Sequence, residues 1–182
     1  VQIKSCAIDN TGNIFITGDT FNDTISLGNV TLINSDIVNW SSYFVFKCDP
    51  DGNAIWGNLI TAPDLIGGGT CATDAAGNLI AVGYFFSPTL TIGTNVFTNA
   101  GNADFFMLKY DALGNLIWAK SAGGTQLEVI YRCRVDADGN IIASGYFQSP
   151  SLSLGATTLT ATAGNMEAFI AKFDTTGNAV WA

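Results

Sequence analysis

Residues 71–85 read Cys-Ala-Thr-Asp-Ala-Ala-Gly-Asn-Leu-Ile-Ala-Val-Gly-Tyr-Phe. An Asp-x-x-Gly-Asn phrase stands here between two runs suited to strands, and that arrangement decides the fold. The Asp carboxylate accepts hydrogen bonds from backbone N–H groups two or three residues on. The Gly supplies a positive φ without a Cβ clash, and the Asn opens the next strand. A short loop ending in Gly between apolar runs predicts a β-hairpin. The phrase occurs six times, starting at Asp9, Asp49, Asp74, Asp111, Asp136 and Asp174, with Gly12, Gly52, Gly77, Gly114, Gly139 and Gly177 in fourth place.

The six phrases come in pairs that recur about every 62 residues. Cys6, Cys71 and Cys133 share one repeat position. Gly18, Gly83 and Gly145 share another, as do Gly28, Gly93 and Gly155, then Lys47, Lys109 and Lys172, then Trp56, Trp118 and Trp181. The chain therefore divides into three copies, 1–60, 61–122 and 123–182. Copy length drifts only in one internal stretch, as expected where surface loop interrupts packed framework.

Composition points the same way. The 182 residues are 48% apolar and only 12% charged, too apolar for a disordered chain. Charged helix formers are scarce beside many Thr, Ile, Val, Phe and Gly, which argues for an all-β protein. A net charge of −8 disfavours nucleic acid and anionic membrane as partners. No apolar run approaches the roughly 18–20 residues of a membrane helix, so no membrane insertion is expected. The chain opens on Val1 without a Met and stops at Trp181-Ala182, where earlier copies run on into a linker; it reads as an excerpt of a longer protein.

In the first copy the predicted strands are 4–9, 13–19, 43–49 and 53–60, giving two hairpins and four antiparallel strands per unit. Leu79-Ile80-Ala81-Val82 and Phe105-Phe106-Met107-Leu108 are apolar without alternation, so both faces of each sheet are covered. Sheets stacked like propeller blades meet that requirement. The insert 21–42 and its equivalents alternate around Gly28, Gly93 and Gly155 and predict an extra hairpin. The expected fold is all-β: three four-stranded antiparallel blades, each with an inserted hairpin, in part of a larger propeller. Three units do not close a ring of roughly four to eight blades. Either further blades complete it, which is the favoured reading, or the units stack as an open array.

The unit Cys-x-x-Asp-x-x-Gly-Asn, then Gly-Tyr-Phe, then Phe-x-x-Lys-x-Asp-x-x-Gly-Asn-x-x-Trp-Ala resembles the bacterial "seven-bladed β-propeller" (SBBP) repeat family. Residues 71–85, 105–124 and 169–182 carry the likeness, which covers essentially the whole chain. The first copy departs from it, with Asp19 where the others have Tyr84 and Tyr146, and Cys48 for Tyr110 and Phe173. The resemblance implies a secreted or cell-surface bacterial protein and no established activity.

Candidate chemistry is sparse. Asp49-Pro50-Asp51-Gly52-Asn53 and Asp136-Ala137-Asp138-Gly139-Asn140 offer alternating oxygen ligands of the kind Ca²⁺ takes. Asp9, Asp74, Asp111 and Asp174 lack the second Asp, and a structural turn accounts for all six; otherwise no cofactor is expected. Trp40 has no counterpart in the other copies and lies in the variable insert, so it is a candidate ligand contact, with Tyr84 and Tyr146. The lysines at 47, 109 and 172 interrupt apolar strands and predict a repeated ion pair or a hydrogen bond to a neighbouring blade's turn. The repeated cysteines read as small buried packing residues, with a disulfide open if their strands approach; a metal site is weaker, with no His and no Cys-x-x-Cys.

The absence of His excludes Ser-His-Asp and Cys-His arrangements within the chain. Asp19, Asp23, Asp36, Asp64, Asp104, Glu128 and Glu167 fall outside the turns, scattered by this reading over inserts and linkers, and Gly67-Gly68-Gly69 reads as linker. The leading expectation is a non-catalytic scaffold or adhesion surface that contacts protein, glycan or further repeats of the same protein through its inserts. Two other readings stay open: an accessory domain of a secreted polysaccharide-degrading enzyme, and a structural subunit of an extracellular fibre or secretion-associated complex.

Overall fold

A computed structural model of the chain describes residues 1–34, 41–162 and 165–182. Trp40 and Asp36 lie outside the described residues. The described residues form strands, turns and loops, with no helix among them. The first copy contributes β1 (Gln2–Ile8), β2 (Ile14–Thr20), β3 (Thr24–Leu27), β4 (Val30–Ile33), β5 (Ser42–Cys48) and β6 (Ala54–Ile60). The second contributes β7 (Ile66–Thr73), β8 (Leu79–Phe85), β9 (Thr89–Ile92), β10 (Asn95–Thr98), β11 (Asp104–Tyr110) and β12 (Leu116–Ala122). The third contributes β13 (Glu128–Val135), β14 (Ile141–Phe147), β15 (Ser151–Leu154), β16 (Thr157–Thr160), β17 (Glu167–Phe173) and β18 (Ala179–Trp181). Each copy is one antiparallel sheet, ordered β1-β2-β5-β6, β7-β8-β11-β12 and β13-β14-β17-β18, with β3–β4, β9–β10 and β15–β16 as separate hairpins.

The turns form for the reasons their residues supply. In the first, Asp9 Oδ1 accepts from the backbone N–H of Thr11 and of Asn13, both at 2.9 Å, and Oδ2 accepts from Asn13 Nδ2 at 2.8 Å. The Gly of all six turns has φ between 76° and 89°, the left-handed region where a Cβ is strained. The same carboxylate bonds recur at Asp49, Asp74, Asp111, Asp136 and Asp174.

Each sheet packs face to face on the next. The front of the first blade (Phe15, Tyr43, Val45) meets the back of the middle one (Leu79, Ala81, Phe106, Leu108) in one core. A second core joins the middle blade's front (Ile80, Val82, Phe105, Met107) to the third blade's back (Cys133, Ala143, Phe169, Ala171). Consecutive residues of β8 and β11 thus enter opposite cores, which is why their sequence runs apolar without alternation.

The first strand of each copy is the inner edge. Ser5 Oγ accepts from Cys71 N–H at 3.2 Å and Thr70 Oγ1 accepts from Cys133 N–H at 2.8 Å, so β1, β7 and β13 lie side by side. A bulge frees those N–H groups: the register slips by one residue at Lys4 in β1 and at Tyr131 in β13, and over Gly69-Thr70 in β7. The outer edges splay apart, and the inserted hairpins fill the wedge. Leu90 and Ile92 of β9 join the first core, Leu152 and Leu154 of β15 the second.

Gly67-Gly68-Gly69 belongs to β7, which corrects the linker reading. A Cβ on Gly67 would stand 2.3 Å from Tyr84 Cζ, and one on Gly68 would stand 2.5 Å from Tyr43 Cε2. Two tyrosine rings lie across this strand, and only glycine leaves them room. Asp19, Asp104, Glu128 and Glu167 also lie in strands (β2, β11, β13 and β17) rather than in inserts or linkers.

Candidate functional site

The inner edge carries a row of partly exposed aromatics. Tyr131, at the bulge of β13, places its ring 6.1 Å from that of Tyr84 and 5.5 Å from that of Tyr146. Its hydroxyl lies 3.3 Å from that of Tyr146, and Phe86 continues the row 5.9 Å from Tyr84. The candidate contacts Tyr84 and Tyr146 therefore share one surface, and Tyr131 joins them. Tyr131 is 40% exposed while Tyr84 and Tyr146 are half-buried, so the row is partly open to solvent. Burial, with the neighbouring Tyr131, pushes the Tyr146 phenol up to about 12 and raises that of Tyr84, keeping both neutral hydrogen-bonding groups at ordinary pH.

At the equivalent place in the first blade stands Asp19. Its Oδ1 accepts from Gly68 N–H at 2.8 Å and its Oδ2 lies 3.1 Å from Lys4 Nζ. Burial raises the Asp19 carboxyl, and Lys4 opposes that rise. Lys4, Arg132 and Arg134 stand on inner strands and are exposed, three of the seven cationic side chains. Neither arginine forms an ion pair among the described residues. The inner strands thus carry neutral phenols and exposed guanidinium groups, of which Arg134 Nη1 donates to the Cys133 carbonyl at 3.0 Å, a surface suited to carboxylates and planar groups.

Tyr131 and Lys4 escape a reading by motif, whereas Asp19 already stands out as the first copy's departure from Tyr84 and Tyr146. The available signal is variability: two residues before the repeated Cys the copies carry Lys4, Gly69 and Tyr131, at a position the framework fixes but does not fill.

The Asp-x-Asp-Gly-Asn turns fit Ca²⁺ poorly. Asp49 Oδ1 already accepts from the N–H of Asp51 and Asn53, and Oδ2 accepts from Asn53 Nδ2. Asp136 carries the same donors, and Lys172 Nζ sits 2.8 Å from its Oδ2. These carboxylates face N–H groups and an ammonium, the reverse of what a cation needs. Asp51 and Asp138 offer the turn only their backbone N–H. Among the described residues no three His, Cys, Asp or Glu side chains cluster as metal ligands.

The repeated lysines pair within their own blade, with the Asp of the first turn: Lys109 with Asp74 at 2.8 Å, Lys172 with Asp136 at 2.8 Å and Lys47 with Asp9 at 3.8 Å. Lys47 also donates to Ala112 O, in the next blade's turn, at 3.0 Å. Trp56 Nε1 donates to that same carbonyl at 3.1 Å, and Trp118 Nε1 donates to Thr175 O at 3.2 Å. Trp56 and Trp118 close their units by clamping the second turn of the next. The four cysteines are free thiols; Cys48, Cys71 and Cys133 are buried and Cys6 is exposed, against the expectation of three buried equivalents.

One acidic pair was not legible as such. Asp104, 3% exposed, has Oδ1 unpaired and Oδ2 accepting from Ala100 N–H. Burial raises its carboxyl to about 6, and neighbouring Glu128 adds to the rise. Glu128 is fully buried, and its oxygens accept from the N–H of Gly124 and Ser149. Both groups are closed from solvent, and Glu128 is engaged in holding two loops, so the pair is built for structure rather than acid–base work on a substrate.

No family model matches this chain. It is 31% identical over 157 residues, 79% of its length, to an uncharacterized WD repeat-containing protein of Acanthamoeba polyphaga mimivirus. The match spans 11% of that relative, so the chain corresponds to a small part of it. The likeness and the three tandem four-stranded sheets agree on a propeller-type repeat.

Proposed function

We infer that this chain is a non-catalytic propeller-type scaffold that binds a partner along its inner edge, at Tyr84, Tyr131, Tyr146 and the arginines 132 and 134. One observation carries the reading: three tyrosines from two blades meet at half-exposed positions, and β13, which supplies Tyr131, also carries Arg132 and Arg134, neither in an ion pair among the described residues. Propeller cores spend their aromatics on blade packing, and a row left half in water is available for contact. The chemistry favours an extended protein segment bearing carboxylates, with arginine supplying paired donors and tyrosine supplying flat contact at low entropic cost. The second and third inserts fit a binding role less well, because Leu90, Ile92, Leu152 and Leu154 on their apolar faces are buried in the cores between blades. A secreted or cell-surface bacterial setting is part of the proposal, supported by the resemblance of the repeat phrase alone.

The test is a peptide array carrying acidic, neutral and basic extended sequences, probed with the chain and with Tyr131→Ala/Arg132→Ala. Acidic sequences should be retained by the former, and binding should fall at least about tenfold, roughly 1.4 kcal/mol, in the latter. Binding that ignores peptide charge, or that survives the double substitution, overturns the assignment.

A further inference from the structure

The wedge between adjacent blades opens on its outer side into a cleft, and the two clefts are built alike. The first, about 230 Å³, lies between β6, the β9–β10 hairpin and the start of β12. The second, about 290 Å³, lies between β12, the β15–β16 hairpin and the second turn of the third blade. In the repeat, Asn58 corresponds to Lys120, Thr91 to Ser153 and Tyr110 to Phe173.

The shapes match and the chemistry does not. Tyr110 lines the first cleft and is 6% exposed, and burial pushes its phenol up to about 12. No group among the described residues hydrogen-bonds its hydroxyl. Phe173 takes the same place in the second cleft, so the framework uses the ring there without a hydroxyl. Asn58 Nδ2 donates to Gly114 O at 2.9 Å, which leaves Oδ1 an acceptor with no partner among the described residues. Thr91 faces Val96 across its hairpin, whereas Ser26 bonds Thr31 at 2.9 Å and Ser153 bonds Thr158 at 3.3 Å. In the second cleft Lys120 Nζ donates to Asn178 Oδ1 at 3.3 Å. The polar groups of the second cleft are engaged with one another or with their own hairpin, and those of the first are open.

We propose that the first cleft binds a neutral sugar ring. A phenol so deeply buried costs stability until something bonds it, and a ligand hydroxyl supplies that bond. The hydroxyls of Tyr110 and Thr91 each donate and accept, and Asn58 Oδ1 accepts, which suits a ring whose own hydroxyls do both. Ile60, Ile92 and Leu116 offer apolar wall to its C–H face. None of the nine lining side chains is charged, so a carboxylate, phosphate or ammonium finds no counter-ion among them. The volume lies below the roughly 300–1,000 Å³ of a drug-sized site, which fits one ring rather than several. The tyrosine row lies on the inner side of the sheets, so this site stands independently of the reading above.

Titration of the isotope-labelled chain with methyl glycosides of glucose, galactose, mannose and xylose, followed by amide NMR shifts, tests it. At least one should shift Asn58, Thr91 and Leu116 saturably, with a Kd of about 1 mM or tighter. Tyr110→Phe, the ring that the third blade carries, should keep its circular dichroism and weaken binding about five- to tenfold. Thr91→Val, at an exposed position, should weaken it by a similar factor. Methyl glucuronide and methyl glucosaminide should bind no more tightly than the neutral rings. A disaccharide that shifts the same residues assigns the site to glycan chains, and one that is excluded while its methyl glycoside binds assigns it to free sugars. The proposal is overturned by the lack of any saturable shift up to about 50 mM with all four glycosides. It is overturned equally by an affinity that Tyr110→Phe leaves unchanged, by tighter binding of either charged ring, or by shifts confined to the second cleft or the inner edge.

Discussion

Asp104 shows how a single buried charge sets a pH dependence. Its Oδ1 lacks a partner, and burial raises the carboxyl to about 6 from an ordinary 3.8. The folded chain therefore holds this proton more tightly than the unfolded chain. The group's contribution is fully present below pH 4 and is lost as pH rises through about 6. Asp104→Asn removes the charge and keeps an acceptor for Ala100 N–H. At pH 7.5 the variant should be more stable than the parent by about 1–3 kcal/mol, and at pH 4 the two should match. Thermal melts at both pH values check this; an equal effect at both would show that the carboxyl ionises normally. The turn carboxylates work in the opposite sense. Asp9 is drawn down to about 2 by bonds from Asn13 and Thr11 that outweigh its burial, so its contribution is present above the ordinary carboxylate range and lost on strong acidification.

Among elements, the second turn of each blade does two jobs, reversing the chain and seating the preceding tryptophan. Gly52 and Gly114 separate these. Both have φ of 87–89°, so alanine at either site carries the same backbone strain of about 1–2 kcal/mol. Only at Gly114 would the new Cβ press on Trp56, at 2.9 Å. Gly114→Ala should therefore cost about 1–3 kcal/mol more than Gly52→Ala in denaturant unfolding, the range for overpacking a close contact. Equal costs would mean the tryptophan moves aside freely and contributes little to the junction. These elements also mark what the sequence makes legible. Turn and strand positions were readable because each rests on local chemistry: a carboxylate reaching its own backbone, a glycine at positive φ, a run apolar on both faces. The glycines of β7 misled because their reason is tertiary, two tyrosine rings crossing a strand. Tyr131 was invisible as a partner of Tyr84 and Tyr146 because a bulge, which depends on inter-strand register, turns it toward them. Asp104 and Glu128 meet across two strands of different blades, and no spacing along the chain announces that.

At the scale of the molecule, stability is a chain of nearest-neighbour contacts, since the first and third blades each share a core with the middle one. The middle blade is covered on both faces and every residue of β11 is buried. In the first blade every residue of β5 is buried as well, because the β3–β4 hairpin covers the side away from the core. The third blade has no such cover on its front: β17 alternates between buried and exposed, and β18 is only three residues long. Local opening should follow that order. In hydrogen exchange, amides of β8 and β11 should be slowest, those of β2 and β5 next, and those of β14 and β17 fastest, with at least about tenfold, or 1.4 kcal/mol, between the first and last groups. Uniform exchange across the blades would show that the chain opens as one unit and that its faces are not independently stabilised.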